Sequence, residues 1–384
     1  MAGTTTNFAI PYPSSTDYVT DGATAMRSIA DQVDAVLFTG SSSGNLLING
    51  AMQVSQRSVS VASITSSNYY TADRWKTTNI TAGTWTQTIE NDAPTGSGFR
   101  KSLKMLCTTA DASLGVNDEL DIRQTLEGLN VQSIRKGTSS AQPLNLSFWV
   151  KSNVVGNYVC WLYDADNVRI VGKTYSILAS NTWEFKTVTF PADITGIFDN
   201  DANGSLVASF QLAAGSNFTS GTLSTSWASY SAANQAPSQV NVAAAINNYW
   251  QMTGAQLTVG SVATPFQFKS WADDLRACQR YYYRRSQVGG YNHVEGISMG
   301  VNFNNSFFTQ VQHPIEMRAA PVFSVVSGNS GVDNYGAASA MTYSSQQTTT
   351  KGGRLSFSTS GLSNYVPFFY IGNPDVTVQF LAEL

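Results

Sequence analysis

The feature that most constrains this fold is a long run of short alternating segments with no helix between them. Over residues 144–150 the apolar side chains of Leu144, Leu146, Phe148 and Val150 alternate with those of Asn145, Ser147 and Trp149. A period of two is typical of a strand with one buried face. Similar segments follow as far as residue 259, and a parallel sheet would need helices between them. Residues 45–270 are therefore predicted to form an antiparallel β-sandwich.

Two local patterns refine this prediction. Residues 158–163 and 168–171 flank the turn-forming run 164–167, which indicates a β-hairpin. Gly254 interrupts the segment 250–259 and predicts a β-bulge or a close approach of another group to the backbone.

Charge is scarce in this chain. Lys, Arg, Asp and Glu together make up 12% of the residues, about half the usual share, and the net charge is −3. A protein with this balance attracts no phosphate backbone, so nucleic acid is not an expected partner. The N-terminus has no basic, apolar signal pattern, and apolar runs are too short to cross a bilayer. We expect assembly in a cytosol without membrane insertion.

The three cysteines, Cys107, Cys160 and Cys278, have neither metal-ligand nor redox spacing. We predict that each is a small buried apolar side chain without a disulfide. No cofactor is expected.

One helix is predicted near the start, over residues 22–38, with Asp21 as its N-cap. Its apolar positions form a narrow stripe: Met26, Ile29, Val33, Val36 and Leu37. A helix this short needs a partner for its stripe. It either docks on its own chain or packs with copies of itself around a symmetry axis, and the flexible linker that follows, 40–44, favours the second.

The composition divides the chain into four parts. Residues 1–44 hold the helix and linker, and 45–270 the sandwich. A helix-like patch, 271–285, carries the densest charge and aromatic content and is predicted to join the sandwich to a second β-rich domain, 286–384.

The sequence contains two partial matches to a catalytic motif, and neither is complete. The segments 40–44 and 296–300 both match the serine-hydrolase pattern G-x-S-x-G. The pattern requires a following helix and then an acid and a histidine, and the chain has only His293 and His313, with no acid between residue 298 and His313. We therefore predict a protein that is not an enzyme.

The run Asp199-Asn200-Asp201-Ala202-Asn203-Gly204 reproduces the opening of a calcium loop. Phe210 stands where an EF-hand loop has its bidentate glutamate. A half-match of this kind is usually an Asx-rich turn, so no metal site is predicted, although Asp199, Asp201 and Asn203 leave calcium open.

Many aromatic residues stand among turn-forming residues, where an exposed ring suits stacking on a sugar: Tyr69, Tyr70, Trp85, Trp227, Tyr230, Tyr291, Tyr335, Tyr343 and Tyr365. Most aromatics of a β-sandwich nonetheless belong to its core. The last four lie in the C-terminal domain, whose long loops are a natural place for binding residues. We nominate them as candidate glycan-binding residues.

Several short motifs, in order along the chain, resemble a module of bacteriophage tail and fibre proteins. They include residues 45–50, 70–75, 146–152, 181–184 and 256–260, then 276–282. Thr258 departs from the glutamate expected after Gln256-Leu257. The resemblance covers about 45–285 and implies a carbohydrate-binding-like jelly-roll sandwich, in which Arg74-Trp75 and Arg280-Tyr281 serve as framework residues.

The start of the chain also resembles the leader of phage tail proteins, through Tyr12, Pro13, Asp17 and Tyr18. The resemblance implies a homotrimeric virion fibre, anchored to other tail or baseplate proteins by these residues, that binds a host-surface glycan. A structural head fibre, a capsid decoration protein or a baseplate adaptor is the alternative, and a polysaccharide depolymerase is the less favoured one.

Overall fold

Two antiparallel sheets built from residues 60–259 form the larger part of the protein in the computed structural model. The structure describes residues 44–286 without a gap, together with 3–4, 11–12, 22, 24, 26–29, 33, 300–303, 306–327, 330–334, 337–340, 342–358, 367–368, 370–372 and 377–384. The chain divides into two compact units, Met1–Lys269 and Ser270–Leu384.

The first unit contains fifteen of the described strands. In chain order they are β1 Gly3–Thr4, β2 Pro11–Tyr12, β3 Ser60–Ile64, β4 Asn68–Tyr69, β5 Lys76–Ile80, β6 Thr84–Glu90, β7 Ser102–Thr109, β8 Glu119–Glu127, β9 Leu144–Ser152, β10 Gly156–Asp164, β11 Arg169–Ile177, β12 Glu184–Phe190, β13 Gly204–Ala214, β14 Ala228–Ser229 and β15 Tyr249–Val259. Two short helices, α1 Gly128–Val131 and α2 Ser216–Thr219, lie between them, with single 3₁₀ turns at Gln132–Ile134, Ala232–Asn234 and Val242–Ala244.

The strands form a seven-stranded sheet, ordered β14-β11-β10-β13-β8-β5-β4, and a six-stranded sheet, ordered β12-β9-β15-β7-β6-β3. The chain crosses from one sheet to the other repeatedly between β8 and β13, as in a jelly roll. The prediction of a mostly β protein with an antiparallel, jelly-roll-like sandwich is confirmed.

Large aromatic side chains fill the space between the two sheets. Phe148 from one sheet meets Phe210 from the other edge to face, with ring centroids 4.8 Å apart, and Trp250 lies 5.7 Å from Phe210. All three are fully buried, and each such side chain contributes roughly 1.5–3 kcal/mol to folding. Trp75 and Trp85 are buried too, and each satisfies its indole N–H with a backbone carbonyl.

Several local predictions are confirmed. Residues 156–177 form the expected hairpin. All three cysteines are buried and free. The buried Arg74 donates a hydrogen bond to the carbonyl of Thr125, as a framework residue would. Gly254 lies at a break in the β15–β9 register with φ +64°, and a Cβ there would approach the Phe99 ring to 2.6 Å.

The second unit begins with helix α3, Trp271–Gln279, which is capped by the Ser270 hydroxyl. Its eleven described strands are β16 Tyr282–Ser286, β17 Gly300–Phe303, β18 Ser306–Gln312, β19 Val322–Ser327, β20 Ser330–Asn334, β21 Ala337–Ala340, β22 Thr342–Thr348, β23 Gly352–Ser358, β24 Pro367–Phe368, β25 Tyr370–Gly372 and β26 Thr377–Leu381. They form three antiparallel sheets, ordered β16-β26-β19, β22-β23-β18-β17-β24 and β21-β20-β25.

Helix α3 is shorter than the predicted helix 271–285. It ends at Gln279, and Tyr282 and Tyr283 enter β16, which pairs with β26. Their aromatic side chains favour a strand, and both are buried. Pairing and burial therefore outweigh the helical pattern of the preceding residues.

The N-terminal segment is helical at residues 22, 24, 26–29 and 33. Of the predicted stripe, Met26 is 68% exposed and Val33 41% exposed in the single chain, and Ile29 is partly buried. Val36 and Leu37 lie outside the described residues. Within the part of the chain that the structure describes, no helix is long and apolar enough to cross a membrane.

Candidate ligand-binding platform on the six-stranded sheet

The outward face of the six-stranded sheet carries aromatic side chains at its β12 edge. In β9, the side chains of Leu146, Phe148 and Val150 point into the core. Because side chains of a strand alternate between its two faces, Trp149 and Lys151 point outward. The aromatic Trp149 thus occupies a position where a sandwich ordinarily has a polar residue.

Three residues form what we call the aromatic platform: Trp149 of β9, Phe185 of β12, and Trp183, which comes just before β12. Trp149 is paired in register with Phe185, and their ring centroids lie 5.4 Å apart with ring planes at 53°. The Trp183 ring lies 5.2 Å from the Nζ of Lys151, whose side chain shares the outward face with Trp149. Phe185 is 48% exposed, and both tryptophans are partly exposed. Such a group of rings left open to solvent is typical of a recognition surface.

Polar groups border the platform on the Trp183 side. The carboxylate of Asp92 accepts hydrogen bonds from the Trp183 indole at 3.2 Å and from the Gln251 amide at 3.1 Å, and it pairs with the Lys151 ammonium. The Lys151 Nζ also lies 5.2 Å from the centre of the Trp183 ring. Partial burial raises the pKa of Asp92, but these hydrogen bonds and the Lys151 charge outweigh it and lower the pKa. Asp92 is therefore ionised at neutral pH.

The centre of the same sheet face is covered. Gln256 of β15 is buried beneath residues 264–267 and donates to the carbonyl of Thr264 at 3.1 Å. Phe99, from the loop after β6, packs against Phe266 and Phe268 at 4.8 and 5.0 Å. These segments leave the β9–β12 edge as the open part of the face.

The outward face of the seven-stranded sheet has a polar cluster that is closed to solvent. We call it the closed network: Glu119, Asp121, Arg123, Trp161 and Gln235. Arg123 donates to Asp121 at 2.6 Å, lies 3.6 Å from Glu119 and covers the Trp161 ring at 5.2 Å. Gln235, in the loop after β14, donates to Glu119 at 2.6 Å. Burial and the charge of Asp121 raise the pKa of Glu119 to about 7.

A second buried charge group lies at the end of β10. The ammonium of Lys136 lies 2.5 Å from Asp164 and 3.1 Å from Asp193, and it donates to the carbonyls of Thr195 and Gly196 at 2.8 and 3.0 Å. The Lys136 side chain is 1% exposed and its two carboxylate partners at most 5%. Its hydrogen-bonding capacity is used within the fold, so this group stabilises loops rather than binding a ligand.

Most of the residues nominated from the sequence for glycan binding or virion anchoring lie outside the residues that the structure describes. Tyr291, Tyr335 and Tyr365 lie outside the described residues, as do Pro13, Asp17 and Tyr18. Tyr343 lies in β22 and Tyr12 in β2.

Aromatics of the sandwich that stood among turn residues have varied environments. Tyr69 and Trp85 are core residues. Tyr230 is 37% exposed and donates to Gln235 at 3.0 Å, beside the closed network. Asp201 accepts hydrogen bonds from the backbone and side-chain amides of Asn203 at 2.9 and 2.6 Å, which is the geometry of an Asx-rich turn.

Sequence reasoning missed the platform, although two signals for it exist. Trp149 interrupts the polar half of an alternating strand, and Trp183 and Phe185 have the spacing of two. Neither signal shows that the two strands are neighbours, nor that Asp92 reaches them from a distant loop.

Comparisons with known proteins give weak structural similarities. No family model and no curated protein matches this sequence. Among solved structures, the enzymatically active domain of tailspike protein 4 of bacteriophage CBA120 matches with 15% identity over 56% of this chain, with a TM-score of 0.31. The match covers only 21% of the tailspike chain.

Two other matches cover most of their own chains. A putative sugar-binding protein of Bacteroides thetaiotaomicron has 11% identity over 56% of this chain and 99% of its own, with a TM-score of 0.31. A family 11 carbohydrate-binding module of Clostridium thermocellum, solved with a mixed-linked tetrasaccharide, has 11% identity over 50% of this chain and 91% of its own, with a TM-score of 0.26. Scores this low assign no function to this chain.

Proposed function

We propose that this protein recognises a glycan through the aromatic platform. A sugar ring presents C–H groups on its faces and hydroxyls around its rim. Trp149 and Phe185 offer apolar ring faces for the first, and Asp92 and Lys151 offer an acceptor and a donor for the second. The observation that carries the proposal is the Trp149–Phe185 pair, in which Phe185 is 48% exposed and Trp149 partly exposed.

Binding without hydrolysis is the part of this proposal that Asp92, the acid bordering the platform, supports. A glycosidase needs a carboxylic acid with a raised pKa to protonate the leaving oxygen. Burial raises the pKa of Asp92, but hydrogen bonds and the Lys151 charge outweigh it and lower the pKa. This carboxylate suits hydrogen bonding to hydroxyls rather than acid catalysis.

The biological setting belongs to the same proposal. Resemblance to phage tail and fibre modules and the charge-poor, Ser- and Thr-rich composition support a virion fibre protein that attaches through residues 1–44 and meets a host-surface glycan. In this setting Met26 and Val33, exposed in the single chain, contact other copies in a homotrimer. The alternative is a structural head fibre, a capsid decoration protein or a baseplate adaptor, which would assemble in the same way but bind no glycan at the platform.

Assembly is tested by sedimentation of the full chain. Ile29→Asp places charges against one another in the helix seam, and we expect it to shift the wild-type trimer toward monomer. A monomeric wild type, or an oligomer unaffected both by this variant and by removal of residues 1–44, contradicts the proposed assembly.

Glycan recognition is tested by affinity electrophoresis of the full chain in gels containing host-surface polysaccharide. Trp149→Ala and Phe185→Ala should abolish the retardation seen for the wild type. Trp271→Ala is the matched control, since Trp271 is 62% exposed and lies outside the sandwich. Retardation that survives both platform variants moves the receptor site elsewhere, and loss only on deletion of residues 286–384 places it in the C-terminal domain.

A further inference from the structure

The angle between the platform rings bears on the shape of the ligand. A flat, ribbon-like glycan presents successive rings in one plane and stacks on coplanar aromatic rings. Trp149 and Phe185 are inclined by 53°, and their centroids are separated by 5.4 Å, a distance comparable with one sugar unit. Two consecutive sugars stack on both rings only when the chain turns between them.

The two rings are held at this angle by the sheet. Trp149 and Phe185 are register partners on β9 and β12, and each ring supports the other. The sheet itself is anchored beneath them by Phe148 and Val150, both fully buried. A ligand therefore meets a preformed, tilted pair of rings, which favours chains already twisted in solution.

The charges beside the platform bear on the ligand's charge. The Lys151 ammonium is paired with the Asp92 carboxylate. An acidic sugar would have to compete with Asp92 for this cation, and the Asp92 charge would repel it at short range.

Resting on the glycan-binding function above, we propose that the platform selects a neutral, twisted glycan chain over both flat and acidic chains, and that it engages two consecutive sugar units. The selectivity comes from the tilted Trp149–Phe185 pair for shape and from the closed Asp92–Lys151 ion pair for charge.

The test is calorimetric titration of the full chain with four probes. They are two neutral twisted glucans, a soluble β-1,3-glucan and an α-1,4-glucan, the flat β-1,4-linked cellohexaose, and acidic polygalacturonate. We expect at least one twisted glucan to bind at least tenfold more tightly than cellohexaose, and Trp149→Ala to weaken that binding at least tenfold. Polygalacturonate should not bind the wild type.

A gain-of-function variant checks the charge argument. Asp92→Asn leaves the Lys151 ammonium without its carboxylate, and we expect it to bind polygalacturonate where the wild type does not. Trp271→Ala serves again as the control.

The outcomes separate the two proposals. Platform-dependent binding of cellohexaose as tight as that of the twisted glucans overturns the shape selectivity, and wild-type binding of polygalacturonate through Trp149 overturns the charge selectivity, while glycan recognition stands. No binding to any of the four probes overturns this inference. Recognition itself fails only when host polysaccharide retards the platform variants as strongly as the wild type, or retards neither.

Discussion

The two outward faces of the sandwich treat aromatic and charged residues in opposite ways. On the six-stranded sheet, Trp149 and Phe185 remain open to solvent. On the seven-stranded sheet, Trp161 is 4% exposed beneath Arg123, and the neighbouring carboxylates are buried. An aromatic residue beside charged ones therefore has two different environments in this fold. Its ring is left exposed where the strand edge is free, and it becomes part of the buried framework where a loop closes over it.

The largest loss of stability is expected when the charge group buried at the end of β10 is disrupted. Lys136→Met removes the cation between Asp164 and Asp193 and leaves the buried Asp164 carboxylate without it, while Asp193 keeps its ion pair with Arg169 at 2.8 Å. Loss of one partner of a buried pair costs about 3–5 kcal/mol. Denaturant unfolding of the full chain measures the change.

Lys186→Met is the matched control for that variant. Lys186 and Glu184 form a more exposed ion pair on the opposite sheet, with side chains 16% and 15% exposed, and pairs of this kind contribute about 0–1 kcal/mol. Equal losses of stability in the two variants would contradict the conclusion that the Lys136 group stabilises the fold through its burial.

The next effect depends on pH and belongs to Glu119. Its pKa is raised from 4.5 to about 7 in the folded protein, so the charged form is disfavoured there. The folded state is thus most favoured below pH 4.5 and loses this contribution as the pH rises through 7. Conversion at 1.36 kcal/mol per unit gives a loss of about 3 kcal/mol.

Glu119→Gln removes this dependence while keeping an acceptor for Gln235. We expect the variant to unfold at about the wild-type denaturant concentration near pH 4.5 and at a clearly higher concentration at pH 8. A variant less stable than wild type at pH 8 would show that the ionised carboxylate supports the network.

The smallest effect on stability is expected at the platform. Phe185→Ala removes a ring that is 48% exposed and whose main aromatic contact is Trp149, so its loss should cost about 1 kcal/mol or less. Thermal unfolding measures it. A loss above about 3 kcal/mol would mean that the ring is part of the core and not a free surface.

Much of the fold was predictable from the sequence because short local patterns of residues determine where strands form and which face they bury. Alternation over residues 144–150 predicts β9 and its buried face, and Gly254 predicts the bulge of β15. The predicted length of helix α3 was wrong because the pairing of β16 with the distant residues 377–381 determines where the helix ends.

The platform was less accessible to sequence reasoning. Trp149 and Phe185 have 35 residues between them in the chain and meet only through the pairing of β9 with β12, and Asp92 joins them from the loop after β6. The loop-rich composition of the C-terminal domain favoured different glycan-binding residues, Tyr291, Tyr335, Tyr343 and Tyr365. Their role in glycan binding stays a prediction.

The division between the two faces is tested most directly by measuring glycan affinity and unfolding side by side in Trp149→Ala and Glu119→Gln, at pH 6 with the full chain. The account predicts that Trp149→Ala loses at least tenfold in affinity for the bound glycan and unfolds close to wild type. It predicts that Glu119→Gln binds as the wild type does and shifts only in stability. Wild-type affinity in Trp149→Ala would place the ligand outside the platform, and lost affinity in a folded Glu119→Gln would place it on the seven-stranded sheet. Either result would contradict the account.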